Sequence, residues 1–181
     1  MTGIELNDAD LVAAFRDKES RQKAFVQILE KYQKRTYWLA RRIVIDHDDA
    51  DDVVQNTFIK VWENLEKFRE DAKLYTWIFR IATNEALQFL NRKKTISIDE
   101  VDQTLIAKLE SGSHFNGNRA ELKLQSAIIN LPTKQRLVFN MKYYEHMKYE
   151  DMEEITGTSV GALKASYHHA VKKIEEYLKK D

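Results

Sequence analysis

The sequence predicts an all-α protein made of two small helical domains that are joined by a flexible linker. Three observations support this prediction. The 181 residues include one proline and five glycines, too few turn-forming residues for a β-sandwich or a β-barrel. Apolar residues recur at three- and four-residue spacing over most of the chain, which is the period of an amphipathic helix. That period is lost between residues 95 and 119.

The first predicted domain covers residues 1–94. Its apolar residues form three helical stripes: Phe25, Ile28, Leu29 and Tyr32; then Val54, Phe58, Val61 and Leu65; then Ile78, Ile81, Ala82 and Leu90. Charged residues interrupt the period between 64 and 77, so we expect a break between two helices there. Residues 95–119 have the composition of a linker, with a short helix at 101–110.

The second predicted domain, residues 120–181, contains a helix-turn-helix pattern. A short helix turns Met152 and Ile155 inward, Gly157 ends it, and Ser159 caps a longer helix. The apolar face of that longer helix consists of Val160, Leu163, Tyr167, Ala170, Ile174 and Leu178. Its opposite side carries Gly161, Lys164, Ala165, His168, His169 and Lys172. Small and basic residues on an exposed helix suit the DNA major groove, although an ordinary packed helical hairpin would show the same pattern.

Composition excludes several classes of protein. There is no cysteine, so no disulfide framework and no cysteine nucleophile. The N-terminus lacks the pattern of a signal peptide, and no apolar run reaches the roughly 20 residues of a membrane span. We therefore expect a cytoplasmic protein without membrane insertion. The 29 basic and 29 acidic residues balance, so DNA binding would depend on local basic patches rather than on net charge.

The stretch DHDDADDVVQNTF, residues 46–58, places five aspartates within seven residues. A calcium loop requires oxygen ligands at positions one, three, five and twelve and a glycine at six. No register of this stretch meets that requirement, so we predict no metal site. Asp48 or Asp49 can instead cap the following helix. Asp52, Gln55 and Ile59 then share a second stripe, either a surface for a basic partner or a merely solvated face.

Three stretches together resemble the extracytoplasmic-function (group 4) sigma factors of the sigma-70 family, which serve bacterial RNA polymerase. DADDVVQNTFIKVW (49–62) resembles the family's core-binding helix of region 2. TWIFRIATNEALQFLNRKK (76–94) resembles its promoter-melting helix, and LPTKQRLVFNMKYYEHMKYEDMEEITGTSVGALKAS (131–166) resembles region 4. The resemblance implies a region 2-like bundle in residues 1–94 and a region 4-like helix-turn-helix in 120–181. It covers nearly everything except the linker and the termini.

The resemblance also implies partners and binding residues. The β′ coiled coil of core RNA polymerase would be bound by Asp49, Asp52, Gln55 and Ile59, and the β subunit of the polymerase is a further expected partner. The −10 promoter element would be contacted by Lys67, Phe68, Arg69, Trp77, Arg80, Asn84, Arg92 and Lys93. The −35 element would be contacted by Ser159, Gly161, Lys164, Ala165, Ser166, His168, His169 and Lys172. An anti-sigma factor is a further expected partner of such a protein.

The function implied is promoter-specific transcription initiation, with no catalytic residue and no cofactor. Gln88, Asn91, Ser166 and His169 stand where the family often has charged residues. Those departures keep open a polymerase-binding adaptor with a degenerate DNA surface. A stand-alone helix-turn-helix regulator is the second alternative, and it would leave the acidic helix without a use. A carboxylate-dependent hydrolase is a third.

Overall fold

A computed structural model describes residues 6–69, 71–96 and 119–179. These ranges contain no strand; they form eight α-helices and one 3-10 helix. The helices are α1 (Asp8–Arg16), α2 (Arg21–Val44), α3 (His47–Asn64), the 3-10 helix (Leu65–Lys67), α4 (Leu74–Ile96), α5 (Arg119–Ile129), α6 (Thr133–Tyr143), α7 (Tyr149–Thr156) and α8 (Val160–Leu178). The all-α prediction is confirmed. The helix expected at 101–110 and most of the predicted linker lie outside the described residues.

Side-chain caps fix the start of three helices. Asn7 accepts from the Asp10 amide at α1, a helix that the apolar pattern did not reveal. Ser159 accepts from the Ala162 amide at α8, as predicted. At α3 the cap is Asp46, whose Oδ1 accepts from the amides of the next two aspartates at 3.1 and 3.3 Å. The expectation that Asp48 or Asp49 caps α3 was therefore wrong, because the helix begins earlier, at His47.

Helices α1 to α4 pack around one core, in which Phe15, Ile28, Leu39, Val61 and Phe79 are almost completely buried. The stripe expected on α3 largely faces this core: Phe58, Val61 and Leu65 are buried, and Val54 is half-buried. Helix α2 ends in an unusual corner, where Ile45 has a φ of 71°. Branched side chains rarely adopt that region. Burial of Ile45, which is 6% exposed, stabilises the corner.

Helices α5 to α8 form the C-terminal half. Phe139, Ala170 and Ile174 are buried between α5, α6 and α8. Gly157 ends α7 with a φ of 67°, so the turn into α8 uses the left-handed conformation that glycine adopts easily. Leu178, expected on the apolar face of α8, is 37% exposed, because it lies at the last residue of the helix.

The two halves pack against each other: α7 lies on α4, and α6 lies on α2. Leu137, Met141, Met152 and Leu163 of the C-terminal half belong to the same buried cluster as the core of α1 to α4. The apolar core therefore continues from one half into the other.

Polar side chains also form hydrogen bonds and ion pairs across the interface between the two halves. Glu145 accepts from Arg42 at 2.5 Å. Asp151 of α7 accepts from the ammonium of Lys73 at 2.8 Å and from the hydroxyl of Tyr75. Both carboxylates are nearly buried, with side chains 9% and 10% exposed, so each depends on the cation of the other half.

The end of α2 is held by α6. The amide of Asn140 donates to the carbonyl of Arg42 at 3.1 Å. The buried guanidinium of Arg136 donates to the carbonyls of Ile129 at 3.0 Å and Ile43 at 3.4 Å. The last carbonyls of a helix have no partner within the helix, so the C-terminal half supplies partners that α2 lacks.

Candidate functional site

Three exposed surfaces on the two halves carry the residues predicted to bind partners. We call them the α3 face, the loop cavity and the α8 stripe. Each lies on a rigid helix or beside one, and each has a different chemistry.

The α3 face combines acidic, amide and apolar side chains. Asp52, Gln55 and Ile59 are exposed, and Ile59 is 55% exposed although it is apolar. Trp62 extends this face by one turn and is 40% exposed. The sequence analysis did not single out Trp62, although its position three residues after Ile59 places it on the same side of the helix.

The Trp62 side chain packs on its inner side against aromatic residues of α1 and α2. Its ring packs edge-on against Phe15 of α1 and Phe25 of α2, with centroids 5.2 and 4.9 Å apart. An exposed indole that is supported in this way offers a partner apolar contact area without a large loss of side-chain entropy.

Asp49, also predicted on this surface, is placed differently. Its side chain is 15% exposed and accepts a hydrogen bond from Lys93 near the end of α4. Lys93 was predicted to contact promoter DNA, so the structure joins two residues that were expected to serve different partners. Any cation of a partner that approached Asp49 would compete with Lys93 for the carboxylate.

The loop cavity, of about 330 Å³, opens between the end of α3 and the start of α4. It brings together five of the residues predicted to contact the −10 element: Lys67, Phe68, Arg69, Trp77 and Arg80. Asn64, Asp71 and Ala72 complete its lining and were not predicted. Their positions beside the predicted loop residues were the only sequence signal for them.

The cavity has an apolar wall and a cationic rim. Phe68 is buried, and its ring lies 5.1 Å from that of half-buried Trp77. Lys67, Arg69 and Arg80 are exposed around them. Arg16 of α1 donates to the carbonyl of Phe68 at 2.7 Å and so fixes the loop to the first helix. Aromatic rings beside cations provide stacking and phosphate contacts for a single strand.

The other predicted −10 residues lie further along α4. Asn84 is exposed one turn after Arg80, on the same side of the helix, and Arg92 is exposed near its end. This arrangement continues the polar surface of the cavity along α4.

The α8 stripe consists of Gly161, Lys164, Ala165, His168 and Lys172, which are all exposed. They recur at three- and four-residue spacing and therefore face one direction. His169 is exposed at the side of this stripe, whereas Ser166 is half-buried. Ser159 is exposed at the start of α8, where its hydroxyl oxygen accepts from the helix.

Comparisons with known proteins identify the family to which the chain belongs. The family model for sigma-70 region 2 matches residues 28–96, and the model for sigma-70 region 4 matches residues 121–174. The ECF RNA polymerase sigma-E factor of Escherichia coli is 30% identical over 179 residues, which cover 92% of each chain. This chain belongs to the extracytoplasmic-function family of RNA polymerase sigma factors. It is a factor for promoter-dependent transcription initiation.

Solved structures with the same fold are also known. The structure of CnrH in complex with the cytosolic domain of CnrY covers 96% of this chain with a TM-score of 0.72 and 25% identity, and this chain covers 98% of it. The sigma factor RpoE of Bartonella quintana, solved with the anti-sigma factor NepR, covers 88% of this chain with a TM-score of 0.70, and this chain covers 99% of it. At 23% identity the second likeness concerns the fold alone.

The described parts of the chain contain neither a membrane-spanning helix nor a cluster of metal-binding side chains. Within residues 6–69, 71–96 and 119–179, no helix is long and apolar enough to cross a membrane. The same ranges hold no group of three or more histidine, aspartate or glutamate side chains that is placed to bind a metal ion.

Proposed function

We propose that this sigma factor divides its work among the three surfaces. The α3 face binds the β′ coiled coil of core RNA polymerase. The loop cavity and α4 bind the opened −10 element, and the α8 stripe binds the −35 duplex. Residues 1–94 and 120–181 are the two functional domains, and 95–119 is the linker. The protein acts in the cytoplasm as a non-enzymatic initiation factor.

The observation that carries the proposal is the clustering of five predicted −10 residues around one cavity. Three of these residues belong to the connection between α3 and α4, and two belong to the first two turns of α4. A cavity with an aromatic wall suits an unstacked base, and its cationic rim suits the phosphates on either side. Base extrusion costs least where the duplex is already open, which fits a site that acts during melting.

The α3 face suits a basic protein partner. Asp52 is exposed and forms no ion pair with any residue of the described ranges. A carboxylate that meets an arginine can form two parallel charge-assisted hydrogen bonds. Ile59 and Trp62 add an apolar contact beside that pair, which is the composition expected at the centre of a protein interface.

The α8 stripe suits duplex DNA. Gly161 and Ala165 allow the helix backbone to approach the groove closely, and Lys164 and Lys172 provide charge for phosphates. Departures at Ser166 and His169 reduce the number of fixed charges. Sequence preference at −35 therefore depends more on DNA shape and backbone contacts.

An anti-sigma factor is the regulatory partner that we propose. The related fold of Bartonella quintana RpoE was solved with such a factor. An inhibitor of this kind would need to cover the α3 face or the loop cavity, both of which are exposed in the free chain.

The first test is binding of fluorescently labelled protein to bacterial core RNA polymerase, with Asp52→Arg beside the wild type. We expect submicromolar binding by the wild type. The variant should lose at least tenfold in affinity, because truncating a buried charge pair costs about 2–5 kcal/mol and reversal of the charge adds repulsion. Glu30→Arg, which makes the same charge change at an exposed position of α2, is the control and should bind normally.

The outcomes separate the alternatives. A wild type that does not bind core polymerase but binds duplex DNA is a stand-alone regulator. A wild type that binds core polymerase but supports no run-off transcription from any genomic fragment is an adaptor with a degenerate DNA surface. Either result contradicts the proposed function.

A further inference from the structure

Lys73 lies immediately before α4, and its position places it in line with the proposed −10 residues of that helix. The amide of Trp77 donates to the carbonyl of Lys73 at 3.1 Å, so Lys73 begins the hydrogen-bond ladder of α4. Residues three, four and seven positions apart share one side of a helix. Lys73, Trp77, Arg80 and Asn84 follow that spacing.

Lys73 nevertheless faces the other half of the molecule. Its ammonium lies 2.8 Å from Oδ1 of Asp151 in the first turn of α7. Tyr75 donates to the second oxygen of the same carboxylate. The Lys73 side chain is 59% exposed, whereas the Asp151 side chain is only 10% exposed.

We propose that Lys73 is a further DNA-contacting residue of the −10 surface, and that Asp151 withholds it while the two halves are packed together. This inference rests on the proposed function. The Asp151 contact, defined by Asp151, Lys73 and Tyr75, then links the packing of α7 on α4 to the charge of the DNA surface.

Because Asp151 is nearly buried, its contact with Lys73 keeps the lysine from binding a phosphate of DNA. Removal of the cation from a nearly buried carboxylate leaves an uncompensated charge, which is unfavourable. A phosphate that attracts Lys73 in the packed state would leave Asp151 with Tyr75 alone. The phosphate would also approach the Asp151 carboxylate itself. When α7 separates from α4, water hydrates Asp151 and Lys73 becomes available.

The proposed function requires this separation. The −10 and −35 elements lie about 25 base pairs apart, which is about 85 Å of duplex at 3.4 Å per base pair. A chain of this length packed around a continuous core has a radius of gyration of about 16 Å. The packed state cannot place both DNA surfaces on their elements, so promoter engagement and release of Lys73 occur together.

The test measures binding of the free full-length protein to a fluorescein-labelled 20-mer of thymidylate over a range of salt concentrations. Four proteins form a cycle: wild type, Lys73→Gln, Asp151→Asn and the double variant. Asp151→Asn should bind about fivefold tighter at 0.1 M salt, the contribution of one phosphate contact at a single-strand slope of about 0.7. Lys73→Gln should remove that gain in the Asp151→Asn background and change little alone.

Two further variants isolate the contact. Glu150→Gln removes one negative charge from the same turn of α7 at an exposed position, and it should leave affinity unchanged. Tyr75→Phe removes one hydrogen bond to Asp151 and keeps both charges, so it should give an intermediate gain. It also tests the proposal if Asp151→Asn fails to fold.

Equal effects of Lys73→Gln in both backgrounds would overturn the inference, and so would equal gains from Glu150→Gln and Asp151→Asn. Failure of the proposed function has a different signature. In that case the wild type does not bind core polymerase, or it binds but supports no run-off transcription, whatever the outcome of the Lys73 cycle.

Discussion

At the scale of single residues, the proposed binding surfaces depend on where a side chain points rather than on its type. Lys172 and Lys173 are adjacent, exposed and equally charged. Successive residues of an α-helix point about 100° apart. Lys172 therefore lies in the α8 stripe, and Lys173 lies beside it. This pair provides an internal comparison for the −35 contact.

Lys172→Gln should lower the salt dependence of holoenzyme binding to promoter duplex, since one phosphate contact contributes about 0.9 to the slope of log K against log salt. Lys173→Gln should leave the slope unchanged. Fluorescence anisotropy over a salt series measures both. Equal slopes for the two variants would contradict the assignment of the α8 stripe to DNA.

At the loop cavity, Trp77 tests stacking separately from charge. Trp77→Ala should slow promoter opening and leave binding to closed duplex nearly unchanged, because loss of one base–aromatic stack costs about 1–3 kcal/mol only when the strand is single. Fluorescence of 2-aminopurine in the −10 element reports opening. Trp38→Ala, which changes a 46% exposed tryptophan of α2, is the control and should open promoters at the normal rate.

At the scale of elements, the turn between α7 and α8 rests on one glycine. Gly157 has a φ of 67°, and an added Cβ would meet no atom within 4 Å. Substitution therefore acts on the backbone alone. Gly161 also has open space around the position of a Cβ, but it lies within α8. The two glycines thus separate strain at a turn from helix propensity.

Gly157→Ala should destabilise the protein by about 1–2 kcal/mol, the cost of a left-handed conformation for a residue with a Cβ. Gly161→Ala should stabilise it by up to about 1 kcal/mol through helix propensity. A shift of about 2–4 °C in Tm per kcal/mol is expected for a chain of this size. Thermal melts followed by circular dichroism measure both, and a lower Tm for Gly161→Ala would contradict the explanation.

The elements were largely predictable from sequence, because apolar periodicity and caps are local signals. Gly157 and Ser159 identified the turn, and the stripe containing Phe58 and Val61 identified the buried side of α3. The corner at Ile45 was not predictable, since an isoleucine with positive φ gives no sequence signal. Helix α1 was missed because Leu11, Val12 and Phe15 form too short a pattern to distinguish from a loop.

The candidate site was predictable in part, from the family resemblance of three stretches of the sequence. Family resemblance marked Trp77 and Arg80, and the structure places both at one cavity. Asn64 and Asp71 were not found, because their contribution depends on how the loop folds back. Burial of Asp49 against Lys93 depends on the packing of α3 on α4, which no local pattern encodes.

At the scale of the whole molecule, the packing of the two halves was not predictable from either domain alone. Asp151 and Glu145 look like surface residues in the sequence, and the structure makes each of them a nearly buried partner of a cation in the other half. Their pairing depends on contacts between residues about a hundred positions apart, such as Arg42 with Glu145.

The packing should be insensitive to pH near neutrality. Burial raises the pKa of Asp151, but hydrogen bonds from Lys73 and Tyr75 outweigh burial and hold the pKa below its ordinary value of 3.8. The hydrogen bond to Asp151 raises the pKa of Lys73 above 10.5. Because folding lowers the pKa of the carboxylate, Asp151 contributes its full stability to the contact above about pH 3.8. Because folding raises the pKa of the ammonium, Lys73 contributes its full stability below about pH 10.5.

The Asp151 contact should therefore be constant from about pH 5 to about pH 9. It should weaken as the pH falls through the lowered pKa of Asp151 and as the pH rises through the raised pKa of Lys73. The chain has no native cysteine. Spin labels on cysteines introduced at exposed Lys34 of α2 and Glu176 of α8 report the separation of the halves. A change in separation between pH 6 and 8 would show that other groups control the packing.

The bonds that α6 donates to the end of α2 have a consequence for amide hydrogen exchange. The carbonyls of Arg42 and Ile43 are held by Asn140 and Arg136, and Ile45 beside them occupies a conformation that few isoleucines tolerate. When the halves separate, this last helical turn loses its external support. Deuterium uptake at residues 43–47 should then rise, although none of these residues belongs to the three proposed binding surfaces. Amide exchange at the corner between α2 and α3 therefore reports the separation of the two halves, and its measurement requires no label.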